Sequence, residues 1–284
     1  MVFNIMDNFP LISIIITTKN EEKNISNCLN SIKNQTYPIE KIEFIVVDNN
    51  SSDKTVKIVK NFQPGFTPSN VKLFDWGPER SAQRNFGVER SNGEYFLYLD
   101  ADMTLSKNVI SDCVAKIRSN NKIVALHISE IVTGDSYWSR VRRFERSFYD
   151  DTVIDCVRFI KKNAFIKAGG FDEKLTGPED WDLDKKMRNI GRVELIKTPI
   201  YHNEDEFNLE KYLDKKGYYA KKFDDYIKKW GKNDPDVKKQ LGICYRFLGV
   251  FIEQGKWKKL ILHPSLTIGM YFLRCLVGIK FLLR

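Results

Sequence analysis

The chain has little of what ties small extracellular folds together. Its 284 residues include five cysteines, Cys28, Cys113, Cys156, Cys244 and Cys275. They are odd in number, scattered and without a close pair, which argues against a disulfide framework and a zinc knuckle and fits a reducing, cytosolic compartment. No GxGxxG follows the first strand-like segment and no GxxxxGK[ST] occurs, which disfavours a dinucleotide fingerprint and a P-loop. The opening "MVFNIMDNFP" carries no basic segment ahead of an apolar run, so no signal peptide is expected. The most apolar stretch, "LILHPSLTIGMYFLRCLVGIKFLL", approaches bilayer length but contains His263, Pro264, Arg274 and Lys280, which disfavours a spanning helix. Internal repeats and low-complexity tracts are also missing.

What is present is enough for a full core: 42% of the residues are hydrophobic and 29% charged, compatible with one large domain or one domain with an appendage. The net charge of +9 is unevenly placed. From Phe207 onward there are 17 Lys and Arg against 7 Asp and Glu; before it, 29 against 30. Basic and apolar character together predict a membrane-surface element in residues 207–284, the alternative being helices packed on the core with a basic solvated face. No nucleic-acid partner is expected.

Strand and helix signals alternate through the first half. "LISIIIT", "IEFIVV", "VKLF" and "EYFLYL" read as buried strands; "EEKNISNCLNSIKNQ", the segment after "DNNSSDKT" with Ser52 as a plausible cap, and Ser81 to Glu89 read as helices. This repetition predicts an α/β fold with a mostly parallel sheet flanked by helices. In such sheets ligands bind beyond the carboxyl ends of the strands, where the sequence places Thr17 to Glu21, Asp48 to Asn50, Asp75 to Gly77 and Asp100 to Asp102. Further on, "KIVALHISEIV" and "VIDCVRFI" read as strands around the cationic helix "YWSRVRRFERSFYD", and from about Asn208 the pattern is helical.

Asp100 and Asp102, two like charges at one strand end, are either solvated as an ordinary loop or held by a positive charge beside them. Carboxylate oxygens match Mg2+ or Mn2+, whose shell a substrate phosphate commonly completes. Four segments in order, "IIITTKNEEKNISNCLNSI", "FIVVDNNSSDKT", "GPERSAQRNFGVERSNGEYFLYLDADM" and "GGFDEKLTGPEDWDLDKKMRNIG", resemble the motifs of the family 2 inverting glycosyltransferases of the GT-A fold and cover roughly Leu11 to His202.

The resemblance implies roles for particular residues. Thr17, Glu21 and Asp48 would hold the nucleotide base and ribose, the carboxylates accepting from a ring N–H or ribose hydroxyls. Arg80 and Arg84 would face the base or diphosphate, Arg84 pairing alternatively with Asp48 or Asp100. Asp100 would lie near the ribose or a metal-bound water, and Asp102 would ligate Mn2+ or Mg2+, with His202 as a further ligand. Asp180 in "GPEDWDL" would be the general base, at a helix N-terminus that favours negative charge, with Glu179 orienting it. Gly169, Gly170 and Gly177 argue for close backbone approach to a ligand. Trp181 would stack on a sugar or pack. Arg142 and Arg146, on one face of the cationic helix, could hold an acceptor phosphate, bind membrane headgroups or stay solvated.

These expectations amount to a GT-A Rossmann-like domain over residues 1–206 and a basic helical extension over residues 207–284 on the membrane surface. The implied activity is metal-dependent, inverting transfer of a sugar from a nucleotide-sugar donor, UDP favoured over GDP. The acceptor is a hydroxyl or a phosphate, including a lipid-linked or polyprenyl-phosphate one, at the cytoplasmic face of the cell membrane. A sugar-phosphate nucleotidyltransferase is the rival enzyme class, disfavoured because "TTKNEE" has no glycine; a degenerate, non-catalytic membrane-peripheral protein is the other rival.

Overall fold

The computed structural model describes residues 9–62 and 71–282. The opening residues, from which no signal peptide is expected, lie largely outside it, as does the end of the apolar C-terminal run. The elements follow in the order β1 (Ile12–Thr18), α1 (Ile25–Lys33), β2 (Ile42–Asp48), α2 (Thr55–Asn61), β3 (Val71–Asp75), α3 (Arg80–Glu89), β4 (Tyr95–Asp100), β5 (Met103–Leu105), α4 (Val109–Arg118) and β6 (Ile123–Thr133). Then come α5 (Tyr137–Arg146), β7 (Val157–Lys161), α6 (Lys162–Lys167), α7 (Glu179–Ile190) and β8 (Arg192–Asn203). The C-terminal helices are α8 (Leu209–Ala220), α9 (Phe223–Trp230), α10 (Pro235–Leu241), α11 (Val250–Ile252), α12 (Lys258–Leu262) and α13 (Pro264–Leu282).

The strands form one eight-stranded sheet in the order β3-β2-β1-β4-β7-β6-β8-β5. The half that the sequence predicts as parallel is parallel: β1 pairs with β2 and β4, and β2 with β3. The sheet as a whole is mixed, because β7 runs antiparallel to both β4 and β6. Strict alternation divides the side chains of the central strands between two cores. Ile12, Ile14 and Ile16 of β1, Phe44 and Val46 of β2 and Leu97 and Leu99 of β4 enter one cluster with α1 and α4. Ile15, Ile45, Val47, Phe96 and Tyr98 enter the other, with Val88 of α3 and Leu183 and Met187 of α7.

Two local expectations are corrected. Of "VIDCVRFI", only the last four residues are strand, in β7 (Val157–Lys161). Before it, Asp155 accepts from the amides of Cys156 and Asp151, and Thr152 Oγ1 donates to the Tyr149 carbonyl, so side chains satisfy backbone groups that a ladder would otherwise claim. Ser52 does not cap α2. The Asp53 carboxylate accepts from the Thr55 amide at 2.9 Å and its hydroxyl at 2.5 Å.

The chain divides into two compact units, each drawn from several segments of the sequence. The first comprises residues 1–129, 157–173 and 183–201; the second comprises 130–156, 174–182 and 202–284. In the second, α13 packs on α5 and α8, and Val141, Phe144, Phe148, Val250, Phe251, Met270 and Leu273 form its core. The C-terminal helices are therefore part of a packed unit built on the cationic helix α5. No helix among the described residues is long and apolar enough to cross a membrane.

Candidate functional site

In the first unit the parallel register brings the polar strand ends into line. Thr17 is opposite Asp100 across β1 and β4, Thr18 opposite Asp48 across β1 and β2, and Asp48 opposite Asp75 across β2 and β3. Chain order reverses between β1 and β4, so Thr17 and Asp100 flank the switch point at which doubly wound sheets open a crevice. The Thr17 hydroxyl donates to Asp100 Oδ1 at 3.2 Å.

The loops that leave these strands are laced to one another. Asn20 and Asn50 adopt left-handed backbone conformations, with φ of 56° and 49°, which asparagine tolerates better than most residues. Asn20 Oδ1 accepts from the Ser52 amide and the Asn20 amide donates to Ser51 Oγ, both at 2.8 Å. The Glu22 amide donates to Asp53 and the Lys54 amide to Glu22. Asp48, 2% exposed, accepts from the Ser51 amide at 2.7 Å and hydroxyl at 2.6 Å, closing a turn with its side chain. Glu21 accepts from Asn24 Nδ2 at 2.8 Å. Thr17, Glu21, Asp48, Arg80, Arg84 and Asp100 thus collect on the strand-end face of one unit, on a rim held in shape before any ligand arrives.

The positive charge beside Asp100 comes from arginines. Arg84 is fully buried and its Nη2 donates to Asp100 Oδ1 at 2.8 Å; Arg80, 29% exposed, lies 3.9 Å from Oδ2. The Arg84 guanidinium also stacks over Tyr98 and Phe171, at 4.5 and 5.2 Å from the ring centroids. Burial would raise the pKa of Asp100, but the charges of Arg84, Arg80 and Arg158 outweigh it and hold the carboxyl far below the usual range. Arg158, overlooked in the sequence, also packs over the Tyr98 ring at 5.2 Å.

The two carboxylates differ in setting. Asp100 is engaged by arginines, whereas Asp102 stands in the turn that joins β4 to β5 with its Oδ1 buried. No cluster of three or more His, Cys, Asp or Glu side chains suited to a metal occurs among the described residues. A single hard oxygen donor fits an ion that takes most of its shell from diphosphate and water, as Mg2+ commonly does.

Most of the other predicted residues belong to the second unit, Gly169 and Gly170 to the first. Asp180 is half-buried in the first turn of α7, beside Glu179 and Asp182. Glu179 is buried, and its carboxylate accepts from the Gly177 amide. Asp182 receives the Trp230 indole N–H and the Lys229 ammonium, both at 2.8 Å, which ties the start of α7 to α9. Trp181 donates to the Ile154 carbonyl at 3.0 Å and stacks on Phe223 with ring centroids 6.0 Å apart, so its ring is used in packing.

Gly177, with φ of 105°, has Tyr219 where a Cβ would lie, 2.6 Å away; Gly170, with φ of 68°, has the Asn85 carboxamide at 2.8 Å. The close approach expected at these glycines is made by the protein's own side chains. His202 Nδ1 is 3.1 Å from Glu130 Oε1. The same glutamate accepts from Arg146 at 3.0 Å, and Asp155 lies 3.5 Å from that arginine. Arg142 pairs with Glu145 and, at 3.2 Å, with Glu204. Both arginines proposed for an acceptor are thus engaged by carboxylates.

Residues 13–171 match the family model described as Glycosyl transferase family 2. Over 93 residues the chain is 40% identical to the glycosyltransferase AglE of Haloferax volcanii, a stretch that covers 33% of this chain and 31% of AglE, so the match spans about a third of that relative's length. Among solved structures it is similar to the mannosyltransferase PcManGT from Pyrobaculum calidifontis in complex with GDP-Man and Mn2+, at a TM-score of 0.65 and 18% identity over 96% of this chain and 87% of that one. It is also similar to S. aureus TarS 1-349 in complex with UDP, at a TM-score of 0.58 and 18% identity over 95% and 89%. These two likenesses concern the fold.

Proposed function

Because the chain belongs to glycosyl transferase family 2 and is a glycosyltransferase by class, we propose that it moves a sugar, with inversion, from a nucleoside-diphosphate donor to a hydroxyl or phosphate acceptor. UDP is favoured over GDP, and the acceptor is taken to be lipid-linked. The observation that carries the donor half is the pre-shaped rim on which Thr17, Asp48 and Asp100 align at the switch point of the sheet. The TarS and PcManGT structures, which hold UDP and GDP-Man on the same type of fold, support it.

On this reading Glu21 and Asp48 accept from the base and ribose. Arg80, the more exposed of the two α3 arginines, faces the diphosphate, and the buried Arg84 fixes the Asp100 carboxylate toward the ribose. Asp102 would hold Mn2+ or Mg2+, which when bound neutralises charge on the leaving diphosphate. His202 is a second candidate ligand. The acceptor oxygen forms the new bond to the anomeric carbon as the bond to the diphosphate breaks, the electron pair leaving with the nucleotide. Asp180 takes the proton of a hydroxyl acceptor; a phosphate acceptor, already ionised, needs that base less. Glu179, held by the Gly177 amide, fixes the first turn from which Asp180 projects.

The membrane half of the proposal rests on side chains of the second unit. Ile261, Leu262 and Ile268 are 69%, 72% and 71% exposed, close in sequence to Lys256, Lys258 and Lys259. Exposed apolar groups flanked by cations fit an anionic bilayer surface, here assigned to the cytoplasmic face of the cell membrane.

The test is a transfer assay with a panel of nucleotide sugars, following nucleotide release with and without Mn2+. Asp180→Asn is expected to keep donor binding and to lose transfer to a hydroxyl acceptor by at least about a hundredfold. Equal transfer by the wild type and Asp180→Asn would refute the base assignment.

A further inference from the structure

Around two tyrosine rings the second unit gathers more positive charge than its carboxylates neutralise. Arg142 is engaged by Glu145 and Glu204. Arg274, 6% exposed, lies 2.9 Å from Glu145 and donates to the Tyr149 hydroxyl at 2.5 Å. Both carboxylates are then used. Two more cations face the same rings: Lys216 is 5.4 Å from the Tyr212 ring centroid, over which Arg142 also stacks at 5.0 Å, and Arg246 is 6.0 Å from the Tyr149 ring, which Arg274 approaches to 5.8 Å.

Among the described residues neither Lys216 nor Arg246 forms an ion pair. Arg246 Nη1 and Arg274 Nε are buried with no hydrogen-bond partner. Burial, followed by the charges of Arg142 and Arg246, pushes the Lys216 ammonium down to about 7. Unspent guanidinium donors, beside more cations than carboxylates, match a doubly charged, multidentate oxyanion better than a single carboxylate. Lys216 and Arg246 are half-buried rather than sealed.

We propose that Lys216, Arg246 and Arg274, braced by Arg142 and Glu145, bind the phosphate monoester or diphosphate group of the acceptor. The word acceptor rests on the transferase reading above; the phosphate site itself does not. Lys216 and Arg246 form no ion pair among the described residues, and Glu145 keeps Arg142 and Arg274 when either charge is removed, so both variants are expected to fold.

The experiment is isothermal titration of the full chain with octyl phosphate, inorganic phosphate and, separately, UDP, for wild type, Lys216→Met and Arg246→Gln, with thermal unfolding as the folding control. Each variant is expected to lose at least about tenfold in affinity for the phosphate probes while UDP affinity stays within about twofold, and Lys216→Arg is expected to restore binding. The ratio of the two phosphate affinities identifies the source of the group: tighter octyl phosphate means it arrives on a hydrocarbon, and equal affinity means it arrives free. Probes that bind folded wild type and both variants equally would overturn the site. Parallel loss of UDP affinity would overturn its assignment to the acceptor. Absence of UDP binding to wild type, with the phosphate pattern intact, would leave the site standing and refute the donor reading.

Discussion

Replacing Asp100 by asparagine removes the negative charge that the fully buried Arg84 meets at 2.8 Å. The amide still accepts one hydrogen bond, but the guanidinium, stacked over Tyr98 and Phe171, loses the carboxylate charge beside it in a low-dielectric setting. Breaking a buried pair in this way costs about 3 kcal/mol or more, which for a unit of this size lowers Tm by about 6–12 °C. The pH dependence has a definite sign. The folded-state pKa of Asp100 is depressed, so its stabilisation is complete above the unfolded value of about 4 and is lost as the pH falls toward the folded value. The difference in stability between wild type and Asp100→Asn should therefore be full at neutral pH and narrow below about pH 4. Thermal unfolding across pH, with Arg84→Met and the double variant to complete a cycle, measures it. A Tm within about 2 °C of wild type would refute the role of Asp100 as the counter-ion of Arg84, whatever the effect on nucleotide binding.

Three further outcomes follow from the packing. Glu145 is held at about 2, against an ordinary 4.5, because Arg274 and Arg142 outweigh the burial that would raise it; Glu145→Gln should cost about 3 kcal/mol at pH 7, the wild-type advantage fading as the pH falls from 4.5 toward 2. A Cβ at Gly87 would lie 2.5 Å from Ile15 Cγ2, so Gly87→Val should destabilise the α3 contact with β1 by about 1–3 kcal/mol in urea unfolding. Leu262→Glu combined with Ile268→Glu should reduce sedimentation with anionic vesicles by more than about tenfold without changing Tm; equal pelleting by the double variant would refute the membrane surface. Surface substitution is the right probe because Met270 and Leu273 belong to a core, which a truncation after Gly255 would remove.

The sheet was legible in the sequence because strands buried on both faces are written as continuous apolar runs, as in "ISIIIT" and "YFLYL". Their carboxyl ends also pointed to Thr17, Asp48 and Asp100. Partnership showed only in part. The pairing of Arg84 with Asp100, one of the alternatives open in the sequence, forms, but Arg158, brought in by the pairing of β7 with β4, adds charge beside Asp100 without any local signal. Arg142 and Arg146 read as available cations, yet Glu130, Glu145, Asp155 and Glu204 engage them. Which cations remain in surplus depends on tertiary pairing, so Lys216 and Arg246 carried no local signal. The C-terminal run read as a membrane element because apolar residues that pack on α5 and those that face outward alternate within it.

The donor site is the centre of this account, and nucleotide titration tests it most directly. UDP and GDP are titrated into wild type and Asp102→Ala, each with Mn2+ and with a chelator. The predicted result is that wild type binds a nucleoside diphosphate, UDP in preference, at least about tenfold more tightly with Mn2+, and that Asp102→Ala loses this gain while keeping its Tm. Binding that is the same in all four conditions, or no binding of either nucleotide, would contradict it.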